Sequence, residues 1–100
     1  MAKIVVTSVT IQSGAEELQN LNAQFKNAVN TLAQLEEALA GMWEGDAQEA
    51  FRRAFQSDKI QMDNFFNAIE VYVQRLLTAA QRYAQAEAQN VETANTRTYH

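Results

Sequence analysis

The chain contains no cysteine and no proline, only three glycines, one tryptophan and one histidine. Without cysteine there is no disulfide, no thiolate nucleophile and no thiolate metal site, and the redox compartment stays open. The single histidine, His100, is the last residue, so no Ser/His/Asp or Cys/His constellation can be assembled. A helical di-metal site would need Glu-x-x-His pairs, which are absent for the same reason. There is no Gly-rich phosphate loop. The expectation is therefore no catalytic residue, no metal, no cofactor and no small-molecule substrate. No apolar run approaches the ~20 residues of a membrane span. The N-terminus lacks a charged segment followed by an apolar core, so no cleavable secretory signal peptide is expected. The formal net charge is −4, which argues against nucleic acid and against anionic membrane surfaces, both of which recruit Lys and Arg.

What is present favours helices. Ala, Gln, Glu and Leu are plentiful and the hydrophobic fraction is 47%, much of it Ala. Residues 1–12 differ: Ile4, Val5, Val6, Val9 and Ile11 mixed with Thr7, Ser8 and Thr10 read as an extended N-terminal arm. Ser13 with Glu16 fits a capping box, which opens a helical hairpin over residues 13–89. Helix 1 spans about 14–42. Its apolar seam, Leu18, Leu21, Phe25, Ala28, Leu32, Leu35, Leu39 and Met42, alternates spacings of three and four in the manner of a coiled coil. Val29 and Trp43 widen it by one position.

Trp43-Glu44-Gly45-Asp46 reads as the turn, with Gly45 supplying positive φ and Asp46, followed by Glu49, capping the next helix. Helix 2 spans about 47–88 and carries Phe51, Phe55, Asp58, Met62, Phe65, Ile69, Tyr72, Leu76, Ala79, Tyr83 and Ala86. Asp58 is its one discordant member. Arg52-Arg53, the only adjacent basic pair, reads as a solvated face. Phe66, Val73 and Ala80 form a second apolar line that one partner helix does not need. Residues 90–100 lose periodicity and read as a flexible tail.

Lengths then bear on assembly. At about 1.5 Å per residue, helix 1 is roughly 43 Å long and helix 2 roughly 63 Å. Leu76, Leu77, Ala79, Ala80 and Tyr83 should then overhang their own hairpin. A lone hairpin also buries little surface for its size. Both points lead to an all-α fold, an antiparallel two-helix hairpin that dimerises into a four-helix bundle. Phe66, Val73, Leu76, Leu77 and Ala80 are the expected dimer interface.

Two motifs remain: Trp43-Glu44-Gly45 in the turn, and Tyr83 followed four residues later by Glu87 near the end of helix 2. With two helices in about 100 residues, this combination over residues 13–88 resembles the WXG family, the ESAT-like substrates of type VII secretion in Gram-positive bacteria and mycobacteria. The resemblance implies a non-enzymatic hairpin that is made in the cytoplasm and leaves the cell folded and dimeric, without a cleavable signal, possessing a virulence or interbacterial role outside it. It implies that Trp43 and Gly45 form the turn motif and that Tyr83 and Glu87 form an export signal read by the membrane ATPase of the secretion system. It also implies that the turn of one subunit lies near the export motif of the other. A homodimer is the first expectation. The alternative is an accessory or chaperone subunit pairing with a larger effector or a sister WXG protein.

Overall fold

The computed structural model describes residues 6–98, with side chains described through residue 91. The chain is a helical hairpin of α1, Ser8–Ala40, and α2, Asp46–Thr98, with no strand among the described residues. Two compact units divide it: Met1–Leu18 together with Val71–His100, and Gln19–Glu70. Both helices contribute to each.

The expected N-terminal arm is helical from Ser8 onward, six positions before the expected start; residues 1–5 lie outside the described part. Thr7 explains the early start. Its Oγ1 accepts from the Thr10 N–H at 3.2 Å, and Thr10 Oγ1 accepts from the Thr7 N–H at 2.9 Å. This is a reciprocal capping box with Thr in place of the usual Glu or Gln. The Thr7 carbonyl takes the first intrahelical bond, from the Ile11 N–H at 3.0 Å. Val9, Thr10 and Ile11 each lower helix propensity by less than about 1 kcal/mol, a deficit that caps of this kind offset. Ser13 and Gly14, expected at the helix start, lie inside α1.

At the turn, α1 stops at Ala40 and Gly41 and Met42 leave the helix. The Ala40 carbonyl accepts the Trp43 N–H at 3.2 Å and Gln48 Nε2 at 2.7 Å, which satisfies a helix end that would otherwise be unpaired. Gly45 has φ +71°, and its carbonyl accepts the Glu49 N–H at 3.2 Å. Gly45, not Asp46, is thus the residue that caps α2. Asp46 and Glu49 instead supply negative charge to its first turn, where the helix dipole favours it. At the far end α2 continues to Thr98, so the expected tail is helical; Tyr99 and His100 lie outside the described residues. Continuing a helix adds one hydrogen bond per residue fixed, whereas nucleation is the costly step.

The inward faces carry the main correction. In the Gln19–Glu70 unit the buried residues of α1 are Asn22, Val29 and Ala40, with Phe25, Ala33 and Glu36 half-buried between them. Leu21, Leu32, Leu35 and Leu39, expected inside, are exposed. Opposite, α2 presents Phe51, Phe55, Met62, Phe66 and Ile69, all half-buried, while Phe65 is exposed. In the other unit Ala15, Val73 and Ala80 are buried, and Ile11, Leu18, Leu76 and Leu77 half-buried. Two adjacent stripes with the same 3-4 spacing run along α1, and the helix turns the one with smaller side chains inward. Small residues let helix axes come closer and pack at interior density.

Asn22 is the polar member of that seam. Its Nδ2 donates to the Phe66 carbonyl at 3.1 Å and to Glu70 Oε1 at 3.0 Å, while its Oδ1 finds no donor among the described residues. A buried amide bonded at two levels of the facing helix fixes axial register, because a slip would leave it unpaired. Asn22→Asp turns a donor into a carboxylate facing two acceptors. Chemical denaturation followed by circular dichroism should show a loss of roughly 2–4 kcal/mol. The variant, unlike the parent, should recover stability as pH falls, since protonation restores a donor. Gly45→Ala has space for its methyl but must hold positive φ, so the same measurement should show a loss of about 1 kcal/mol.

Candidate functional site

The residues singled out by sequence fall into separate units. Trp43 and Gly45 belong to the Gln19–Glu70 unit, Tyr83 and Glu87 to the other.

In the Gln19–Glu70 unit, Trp43 meets Phe51 edge to face at 4.6 Å and 81°, a favoured aromatic geometry. The indole remains 44% exposed. Farther along, Phe25 and Phe65 pack edge to face at 5.4 Å beside an open groove lined by Phe25, Leu32, Phe55, Met62 and Phe65, with Gln61 and Asp58. Asp58, the discordant seam member, is exposed and so keeps its hydration. The neighbouring Leu32, Leu35, Leu39 and Phe65 are 46%, 54%, 47% and 56% exposed. Side chains of that size at helical spacing on an outer face form an apolar patch of the kind that marks interaction sites. Polar groups flank it. Arg52 Nε lies 3.9 Å from Glu36 Oε1, and Lys26 Nζ stands 4.9 Å over the Phe66 ring. Lys59 Nζ donates to Asp63 Oδ2 at 2.9 Å. That hydrogen bond holds the Asp63 carboxyl below its ordinary value; the charges of Lys59 and Lys26 act in the same direction, against some desolvation.

In the other unit, Tyr83 is 44% exposed and closes a shallow groove with Val71, Gln74, Arg75, Thr78, Ala79 and Arg82. Glu87 is one helical turn beyond Tyr83 and half-buried. Both its carboxylate oxygens are occupied: Oε1 accepts the Ser8 N–H at 3.0 Å and Oε2 accepts the Ser8 Oγ–H at 3.2 Å.

The expected dimer interface is placed differently. Val73 is 0% and Ala80 5% exposed within their own chain, and Phe66, Leu76 and Leu77 are half-buried there. Val73 and Ala80 therefore have no surface to offer a partner. The supposed overhang is also gone, because α1 begins at Ser8 and reaches Glu87. Among the exposed large side chains of the described residues are Leu21, Leu32, Leu35, Leu39 and Phe65. Their signal was in the sequence as the Leu seam, which periodicity alone assigns equally well to either side of the helix. Ser8 carried no local signal. Among the described residues no group of three or more His, Cys, Asp or Glu side chains could hold a metal ion. Among the same residues no helix is long and apolar enough to cross a membrane.

Comparison with known proteins places this geometry. Residues 3–88 match the family model WXG100, proteins of 100 residues with WXG. The fold is similar to crystal structures of the secreted protein EsxB of Bacillus anthracis str. Sterne. One of these, with selenomethionine, superposes with a TM-score of 0.78 at 24% identity, covering 87% of this chain and 99% of that one. A Gly→Ala mutant of EsxB gives 0.76 at 25% identity, covering 85% and 98%. No curated protein sequence matches. The match over residues 3–88, with Trp43 and Gly45 at the turn between two helices, shows that the chain belongs to the WXG100 family.

Proposed function

We propose that this protein is a non-enzymatic substrate of a type VII secretion system, exported as a folded homodimer without a cleavable signal peptide and acting outside the cell as a virulence or interbacterial factor. The observation that carries the dimer is the exposed stripe of Leu32, Leu35 and Leu39 with Phe65 beside an apolar groove. Burying a large aliphatic or aromatic side chain is worth about 1.5–3 kcal/mol. A hairpin that turns small residues inward and leaves these outside is built as half of a larger bundle. Membership of the WXG100 family and the likeness to a protein described as secreted support export. Tyr83 and Glu87 would then form the signal read by the membrane ATPase, with Tyr83 as a rigid aromatic anchor presented twice per dimer.

Light scattering behind a sizing column should give twice the chain mass of 11.2 kDa at micromolar concentration; an 11.2 kDa species would sink the dimer. Leu35→Asp combined with Leu39→Asp should shift the protein to monomer while the helical circular dichroism signal persists, because neither side chain is inside the hairpin. Aggregation of the parent that a co-expressed sister protein cures would identify the accessory-subunit reading instead. Tyr83→Ala should cut the amount released into the medium several-fold with the intracellular protein still folded and dimeric. Unchanged release would refute the signal assignment.

A further inference from the structure

The Tyr83 and Glu87 side chains are in unlike states. Tyr83 is exposed on the rim of an open groove, whereas both oxygens of Glu87 are bonded to Ser8, 79 positions away in the chain. Ser8 is the first residue of α1. Its N–H is among the donors that a helix leaves unpaired at its start. The first turn of α1 has no acidic residue of its own, although the helix dipole favours a negative charge there. Glu87 supplies that charge from α2. The contact therefore answers two requirements of α1 and at the same time ties its first turn to the segment that bears Tyr83.

We infer that the motif divides its work: Glu87 is a positioning residue, latched by Ser8 so that the start of α1 and the Tyr83 segment of α2 form one surface, and Tyr83 with its groove is what the receptor touches. Ser8 is thus a functional member of the signal, although it lies far outside it in sequence. This inference rests on the export reading above. It also predicts which chemical property of residue 87 matters. Gln fits the latch as well as Glu: its carbonyl oxygen accepts the Ser8 N–H, and its amide donates to Ser8 Oγ. A receptor that read the carboxylate itself would reject Gln, whereas a latch tolerates it.

The experiment compares full-length Ser8→Ala, Ser8→Pro, Glu87→Gln, Glu87→Ala and Tyr83→Ala. Pro suits the first position of a helix, so Ser8→Pro removes both latch donors and keeps the helix start; Ser8→Ala keeps the N–H and removes the hydroxyl. Two readouts are taken, release into the medium by cells with the cognate secretion system, and deuterium uptake of residues 8–18 in purified protein. The expected result is near-parental release and uptake for Glu87→Gln. Ser8→Pro and Glu87→Ala should each lose release several-fold and gain uptake several-fold, with no further loss when combined, and Ser8→Ala should fall between. Loss of release in Glu87→Gln together with normal release in Ser8→Pro overturns the proposal and leaves the export signal standing. Unchanged uptake in both Glu87→Ala and Ser8→Pro also overturns it. Normal release of Tyr83→Ala and Glu87→Ala alike overturns the export reading, and the division of work with it.

Discussion

Two helices can bury only what lies between them, and in this chain the side chains fully buried there are small, the larger ones being half-buried at best. Among the described residues, Ala15, Val73 and Ala80 are the buried ones of one unit, and Asn22, Val29 and Ala40 those of the other. Such side chains bring little transfer energy each, since burial scales with apolar area. They permit close approach instead, and the close approach lets a single amide reach two groups on the facing helix, as Asn22 does with the Phe66 carbonyl and Glu70. The larger side chains, Leu21, Leu32, Leu35, Leu39 and Phe65, are thereby left outside. The inner seam specifies the hairpin, and the outer face is where the unspent apolar area remains.

That division explains which parts of the fold were legible. The 3-4 spacing of apolar residues announces two helices, and Gly45 with its flanking acids announces the turn; both are local signals and both hold. The side of α1 that faces α2 is not local. Reading the biggest residues as the core selects Leu21, Leu32, Leu35 and Leu39, one position away from the seam of Asn22, Val29, Ala33 and Ala40 that is turned inward. Size is a sound guide to burial in a complete core, but it misleads in a two-helix hairpin, where each helix has one facing neighbour and large side chains can be left on its outer side. Of the expected interface, Val73 and Ala80 are buried within their own chain, while Phe66, Leu76 and Leu77 are half-buried there.

The start of α1 was illegible for a different reason. β-Branched residues at 4–11 suggested an extended arm, and β-branched propensity is weak beside a cap. The Thr7/Thr10 box could in principle be read from sequence, although Thr at its third position is not the usual signature. The acid that completes this terminus could not be read at all. It comes from Glu87, at the far end of the chain, and nothing in a single sequence couples positions 8 and 87.

A motif defined by spacing gathers residues that share neighbours in sequence, and here they do not share a task. Gly45 holds a backbone angle, φ +71°, and Trp43 packs its edge against Phe51; both are explained by the turn. Glu87 is explained by the terminus of α1. Tyr83 is as exposed as the Trp43 indole, 44% each, but sits in mid-helix and not at a turn. Its ring is exposed beside Arg75 and Arg82 on an open groove, where truncating it would cost the fold little. An exposed aromatic whose loss the fold would barely register is the kind of side chain that recognition patches use. The fold accounts from within for Gly45, Trp43 and Glu87, and gives the exposed Tyr83 ring, like the outer leucines, no comparable internal role.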